Sequence, residues 1–203
     1  MTTNRDTIYR IMSEVKHGFG EVIRSVRGFR VLDETLVPEG LRPHTRSICW
    51  LVEQVILQNA KLNSATFGFR DFQYPATDIS VWDAKFRLVS MPEVEPVFVN
   101  IKISDVTRPS RRNDFASVKA LLDFYEGEPN AVLLCVIFKF RFSNVRVVFE
   151  GEPLVKNYAW IDEFVVNPRN EHLQALYECG QIEKSTQQFI DEVKRKAREK
   201  EVL

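Results

Sequence analysis

Seven consecutive apolar residues form the stretch Ala131-Val132-Leu133-Leu134-Cys135-Val136-Ile137. A continuous apolar run of this kind is typical of a central strand that is covered on both faces. The next residues, Phe138-Lys139-Phe140-Arg141-Phe142, alternate and place their two basic side chains on one face. We therefore expect a sheet with this strand near its centre and other elements packed on both sides.

Helical periodicity is found on both sides of this run. Apolar residues recur at helical spacing over roughly residues 4–27, and residues 45–60 are apolar almost all round, which is typical of a buried helix. A third helix is predicted over residues 113–126. A polar helix with a thin apolar stripe is predicted over residues 181–200.

Strands are predicted in four further places. Residues 77–82 and 96–103 are expected to form an antiparallel hairpin with a long polar loop, and residues 145–149 and 158–166 to form two later strands. The resulting order of elements predicts an α/β fold, with a mixed central β-sheet flanked by helices.

Composition limits the classes of protein to consider. With 203 residues, 44% hydrophobic and 28% charged, the chain is expected to form one domain over residues 1–203. The helix within residues 1–30 is a candidate dimer surface, and residues 181–203 contain the last helix. No run reaches the ~18 apolar residues of a membrane span, so no membrane partner is expected. A formal net charge of zero neither supports nor excludes nucleic-acid binding, because basic residues can cluster locally.

Polar residues occupy the two early strands where a site can form. Asp78 lies at the start of the first strand, and Asn100 and Lys102 lie two residues apart in the second. Side chains two apart in a strand point to one face, so Asn100 and Lys102 face away from their apolar neighbours. If the strands pair, these three residues converge at one end of the sheet. Glu53, in the middle of the buried helix, is a natural fourth member.

Such a set suits phosphodiester hydrolysis with Mg²⁺. Hard oxygen ligands hold this ion, which polarises the phosphoryl group and lowers the pKa of a bound water. Asp78 is predicted to be the central metal ligand, with the Asn100 side-chain oxygen, the Ile101 backbone carbonyl and Glu53 as further ligands. Lys102 is predicted to complete the catalytic set as the cation that stabilises developing charge or orients the water.

A family resemblance follows from these residues. Pro75-Ala76-Thr77-Asp78 followed by Val99-Asn100-Ile101-Lys102 resembles the PD-(D/E)xK nuclease superfamily, specifically type II restriction endonucleases. The likeness extends over residues 45–175. It implies a restriction-endonuclease-like fold and Mg²⁺-dependent, sequence-specific cleavage of double-stranded DNA. It also implies a homodimer, a paired DNA methyltransferase and a location in a prokaryotic cytoplasm.

The chain departs from this family pattern at one position. Asn100 stands where the motif has Asp or Glu, so the site has one negative charge fewer unless Glu53 supplies the second carboxylate. Asp83 is a rival to Asp78, five residues further on. Its odd spacing would send its side chain to the opposite face of a regular strand, so Asp78 is preferred.

Contacts with DNA are expected from polar and basic residues near the site and on later strands. The candidate DNA-binding residues are Ser104, Arg108, Arg111, Arg112, Asn113, Lys139, Arg141, Arg169 and Asn170.

Simpler structural roles remain open for the same residues. Glu53 can be a carboxylate paired with an arginine, Lys102 a charge that protects a sheet edge, and Asp78 a turn residue. At the level of function, the alternatives are a repair or recombination nuclease of the same superfamily that cuts by structure, a DNA-binding protein without activity, and a structural α/β domain.

Overall fold

The computed structural model describes residues 4–31, 45–77, 79–108, 111–143 and 145–203. Within these ranges, the helices are α1 (Arg5–Val26), α2 (Thr45–Leu62), α3 (Val118–Gly127) and α4 (Thr186–Arg198). A short 3₁₀-helix spans Tyr158–Trp160. The strands are β1 (Phe29–Arg30), β2 (Phe69–Gln73), β3 (Ala84–Leu88), β4 (Val97–Asp105), β5 (Asn113–Ser117), β6 (Val132–Ser143), β7 (Arg146–Phe149), β8 (Leu154–Asn157), β9 (Val165–Asn167) and β10 (His172–Ala175).

The larger sheet is mixed and has the order β1-β7-β6-β4-β3-β2, with β8 also paired to β6. Strands β4 and β6 run parallel, from the pair Val97 and Val132 to the pair Asp105 and Phe140. The β2–β3 and β3–β4 pairs are antiparallel. On its other edge, β6 pairs with β8 and then with β7. The predicted α/β class, a mixed central sheet flanked by helices, is confirmed.

Alternation in β4 and β6 divides the core into two layers. Val99 and Val136 belong to the cluster that includes the buried faces of α1 and α2. Phe98 and Cys135 belong to the cluster on the other face, with residues of α3, α4 and the small sheet β5-β10-β9. Both faces of the central strands are therefore covered, as the apolar run at residues 131–137 predicts.

Helix α1 agrees closely with its predicted span, and its apolar stripe packs inside the chain. Asn4 caps the helix by accepting a hydrogen bond from the Asp6 N–H. At Gly18 the helix approaches the chain just before β2 so closely that a Cβ atom would lie 2.6 Å from the Phe67 carbonyl oxygen. The apolar residues that suggested a dimer surface are thus core residues of the same chain, and a homodimer stays a prediction.

Three predicted elements are wrong in type or position. Residues 79–82 do not form a strand; the first hairpin strand begins at Ala84. Residues 113–117 form strand β5 rather than the start of a helix, because they pair with β10 and bury Phe115. Residues 158–160 form the 3₁₀-helix, and the following strand is only Val165–Asn167. Strands β1, β2, β8 and β10 were not predicted.

Among the described residues, no helix is long and apolar enough to cross a membrane.

Candidate functional site

Asp83 lies immediately before β3 and continues its hydrogen-bond ladder. Its backbone N–H donates to the Val99 carbonyl at 2.7 Å, and its Oδ2 atom accepts from the Ile101 N–H at 2.5 Å. The side chain therefore substitutes for a backbone carbonyl one step beyond the end of the strand. This bond holds the carboxylate against the edge of β4.

The Ile101 carbonyl faces the same open edge. In an antiparallel ladder, the N–H and C=O of one residue point towards the same neighbouring strand. The Ile101 N–H points towards β3. The register pairs of β3 with β4 end at Ala84 and Val99, so β3 has no residue paired with Ile101. By this geometry the Ile101 carbonyl also points to the β3 side, and its role as a metal ligand stays a prediction.

Asn100 has an unsatisfied buried oxygen. The side chain is only 6% exposed, and its Nδ2 atom donates to the Val81 carbonyl at 2.6 Å. This bond fixes the orientation of the amide, since the reversed amide would set two oxygens against each other. The Oδ1 atom has no hydrogen-bond partner among the residues that the structure describes. Such an acceptor is costly unless a ligand satisfies it.

Lys102 and two carboxylates are coupled electrostatically. Burial raises the pKa of Asp83, while Lys102 and the Ile101 N–H lower it. Burial, and then the Asp83 charge, raise the pKa of Glu53 on α2 to about 7, against the effect of Lys102. Glu53 therefore exchanges its proton near neutral pH. A pair of carboxylates with raised pKa values binds a cation favourably, because the cation offsets the cost of their charges.

A cleft of about 780 Å³ opens from this edge between β4, β5 and α3. Asp83, Asn100 and Lys102 line one side of the cleft. The polar side chains elsewhere around it are Thr77, Ser80, Asp114, Ser117, Lys119, Asp123 and His172. Asn100 and Lys102 thus share a face of β4, as their spacing predicts.

The preference for Asp78 over Asp83 rested on a regular strand. Asp78 itself lies outside the described residues. Residues 79–82 are not a strand, so the argument that odd spacing turns Asp83 away from the site is wrong. Asp83 adjoins the Asn100-Ile101-Lys102 segment, and its charge acts on Glu53.

Three predicted DNA-binding residues, Ser104, Lys139 and Arg141, lie on the Lys102 face of the sheet. Ser104 is two residues beyond Lys102 and pairs in register with Lys139 of β6. The Lys139 Nζ atom lies 2.9 Å from the Glu178 Oε1 atom. Arg141 is further along β6, and its Nε atom is 2.5 Å from a Glu150 carboxylate oxygen.

Arg108 follows β4 and acts electrostatically on α2. Its Nε atom is 3.7 Å from the Asp105 Oδ2 atom. Its charge lowers the pKa of the Cys49 thiol, although burial and Asp105 raise that pKa to about 11. Cys49 is one helical turn before Glu53 on α2, and Arg108 is not among the charges that shift the pKa of Glu53.

The remaining predicted DNA-binding residues occupy the small sheet and its approaches. Arg111 and Arg112 are exposed before β5, and the Asn113 Nδ2 atom donates to the Arg111 carbonyl at 2.7 Å. Asn170 donates to the Asp114 carboxylate at 3.0 Å, next to the cleft, and Arg169 is exposed beside it.

Sequence reasoning ranked Asp83 below Asp78, and it did not identify His172 and Lys119 as residues of the cleft. A signal for Asp83 was present. Residues 84–88, Ala-Lys-Phe-Arg-Leu, alternate between apolar and basic, which is typical of a strand beginning directly after Asp83. No comparable pattern identifies His172 or Lys119, because β10 and α3 reach the cleft only through the tertiary fold.

The oxygen atoms at this edge are of the kind that Mg²⁺ prefers. They are the Asp83 carboxylate, the unsatisfied Asn100 Oδ1 and the Ile101 carbonyl, with Glu53 in electrostatic range. In the part of the chain that the structure describes, no group of three or more His, Cys, Asp or Glu side chains could hold a metal. Amide and carbonyl oxygens would have to complete the ligand set.

Comparisons with known proteins add no assignment to this site. No protein-family model matches the chain, and no curated protein matches it significantly. The chemistry of Asp83, Asn100, Lys102 and Glu53 is therefore the basis for a functional proposal.

Proposed function

We propose that this protein is a Mg²⁺-dependent endonuclease that hydrolyses phosphodiester bonds at specific sequences in double-stranded DNA. The observation that supports this most is the meeting of Asp83, Asn100 and Lys102 at the open end of the β3–β4 pair, in electrostatic range of Glu53. The order of helix-Glu, Asp at a strand start, strand x-Lys and a following helix resembles the PD-(D/E)xK arrangement, with Asp83 in the role predicted for Asp78.

The donor set fits a hard divalent cation. Asp83, the Asn100 Oδ1 atom and the Ile101 carbonyl would hold it, and the missing partner of Asn100 Oδ1 is the strongest sign that a ligand belongs there. The chemistry that Mg²⁺ supplies when bound is stabilisation of negative charge on the phosphoryl oxygens.

The protein's own groups have distinct tasks in this proposal. The Ile101 N–H holds the Asp83 carboxylate in position. The Lys102 ammonium stabilises the charge that develops on the phosphate or orients the attacking water. Glu53, with a pKa of about 7, can accept a proton from that water near neutral pH.

The family resemblance extends the proposal beyond the site. A two-fold-symmetric DNA site is best matched by a homodimer. A DNA methyltransferase that protects the same sequence and a prokaryotic cytoplasmic location complete the proposed setting.

The test is cleavage of plasmid DNA with and without Mg²⁺. Wild type should give discrete fragments only with Mg²⁺, and Asp83→Asn and Lys102→Gln should each reduce the rate by about 100-fold or more. Asp83→Asn is the sharper variant, because an amide oxygen can still accept from the Ile101 N–H. Asp78→Asn tests the rival carboxylate, and Asp191→Asn on α4 is the matched surface control.

Each outcome supports one assignment of the site or of the function. Full activity in Asp83→Asn with loss in Asp78→Asn would return the central role to Asp78. Fragments that survive all three site substitutions would reject the site. A smear in place of discrete bands would favour a nuclease that cuts by structure. Tight DNA binding without cleavage would favour a DNA-binding protein without activity, a reading that Asn100 in place of an acid supports.

A further inference from the structure

Three cations occupy the outer face of the β2–β3 edge of the large sheet. Phe69, Phe86 and Leu88 are buried in the core layer of α1 and α2. Strand side chains alternate between faces, so three cations point away from this core layer: Arg70 of β2 and Lys85 and Arg87 of β3. We name this surface of Arg70, Lys85 and Arg87 the basic face.

Two of these cations are directly opposed. Arg70 and Arg87 are register partners in the antiparallel β2–β3 pair. Like charges in this relationship repel each other and destabilise a sheet. An anion bound between or above the two arginines would offset this repulsion.

The protein neutralises this charge only weakly. The Arg87 Nη2 atom is 3.7 Å from the Glu95 carboxylate, whose side chain is 87% exposed, and Arg87 also donates to the Val94 carbonyl. Arg70 donates to the Pro92 carbonyl at 3.4 Å. Asp71 is the further acidic residue in the shallow groove beside Lys85 and Arg87. The donors of the basic face therefore remain available to an external anion.

The basic face leads away from the candidate site. Lys85 is two residues beyond Asp83, and Arg87 is four residues beyond it, which corresponds to about 7 Å and about 13 Å along a strand. Lys85 also pairs in register with Phe98, two residues before Asn100, and its ammonium lies 4.7 Å from the centre of the Phe98 ring. About 13 Å is the axial rise of roughly four nucleotides in one DNA strand.

We propose that the basic face binds the phosphodiester backbone of a nucleic acid whose reacting phosphate lies at Asp83 and Lys102. The choice of reacting phosphate rests on the proposed nuclease function; the binding of a polynucleotide backbone does not. The contacts are to phosphates, so they position the strand and add affinity without reading bases.

The test is the salt dependence of DNA binding in the absence of divalent ions. A fluorescent duplex of random sequence is titrated with wild type, Arg70→Gln/Arg87→Gln and the control Arg10→Gln/Lys16→Gln at about 50 to 200 mM salt. The control removes two exposed cations from α1, on the opposite face of the sheet. Loss of two phosphate contacts should reduce the slope of log K against log salt by about 1.8, with no change in the control.

A second variant protects the test against a folding defect. Lys85→Gln alone should reduce the slope by about 0.9. The proposal that the basic face binds phosphates would be overturned if both the double variant and Lys85→Gln kept the wild-type slope. It would also be overturned if wild type showed no salt-dependent binding.

Plasmid cleavage, measured in parallel, separates the two proposals. A reduced slope with no Mg²⁺-dependent cleavage by wild type would keep the basic face and reject the nuclease. Mg²⁺-dependent cleavage by wild type, with an unchanged slope in the basic-face variants, would keep the nuclease and reject phosphate binding by the basic face.

Discussion

The Oδ2 atom of Asp83 accepts a 2.5 Å hydrogen bond from the backbone N–H of Ile101. This bond satisfies a strand-edge N–H for which β3 provides no carbonyl. It also fixes a carboxylate beside the segment that contains Asn100 and Lys102. One contact thus serves both the end of the hairpin and the chemistry of the site.

Two substitutions of Asp83 should distinguish its effect on stability from its effect on DNA cleavage. Asp83→Ala leaves the Ile101 N–H without its partner and should lower the free energy of unfolding by about 1–3 kcal/mol. Asp83→Asn keeps an acceptor and should cost clearly less, yet it should lose DNA cleavage to the same extent. Urea denaturation and plasmid cleavage measure the two effects. Equal destabilisation by both variants would show that the hydrogen bond is not what Asp83 contributes to stability.

Glu53→Gln should stabilise the protein at alkaline pH. The pKa of Glu53 rises from 4.5 to about 7 in the folded protein, so its contribution to stability is fully present below about pH 4.5 and is lost as pH rises through about 7. The variant cannot ionise and avoids this loss. Because the side chain is partly solvated, we expect a gain of about 2 kcal/mol at about pH 8 and little at about pH 4.

Urea denaturation of wild type and Glu53→Gln across this pH range measures the gain. Glu126→Gln, an exposed position on α3, is the control and should show no such trend. A constant difference between wild type and Glu53→Gln at every pH would contradict the raised pKa.

Asn100→Asp should make stability depend more strongly on divalent ions. The new carboxylate cannot donate to the Val81 carbonyl when ionised, and it adds negative charge beside Asp83. Without metal we expect a loss of about 1–3 kcal/mol. Saturating Mg²⁺ should recover more stability in this variant than in wild type, because binding to the folded state shifts the unfolding equilibrium.

Thermal unfolding with and without Mg²⁺ measures this difference. Asn130→Asp, at an exposed turn, should show the wild-type response. The absence of any extra Mg²⁺ effect in Asn100→Asp would argue against a cation at this position.

Lys102→Gln should raise the pKa of Glu53 further. The Lys102 charge lowers the pKa values of both Glu53 and Asp83, so its removal favours the protonated carboxyl groups. The pKa of Glu53, followed by NMR titration of its carboxyl carbon, should move above about 7. Lys119→Gln, at the cleft but absent from the charges acting on Glu53, is the control. A downward shift in Lys102→Gln would contradict the arrangement.

The local sequence pattern was sufficient to predict the central strand, the first two helices and one face of β4. The apolar run at residues 131–137 predicted a doubly covered central strand, and the spans of α1 and α2 agree closely with their periodicity. The shared face of Asn100 and Lys102 also follows from local geometry, because side chains in a regular strand alternate. These features depend on residues that are near one another in the chain.

The tertiary structure decided which distant residues meet. Residues 113–117 have helical spacing in sequence, but pairing with β10 makes them a strand. Asp83 reaches the site because it extends the ladder of β3 along β4, and alternation counted from residue 78 does not apply because residues 79–82 are not a strand. The raised pKa of Glu53 depends on burial of α2 beside a different element. Sequence by itself therefore determined the central strand and the Asn100–Lys102 face, whereas cross-strand hydrogen bonding and burial decided which carboxylates join them.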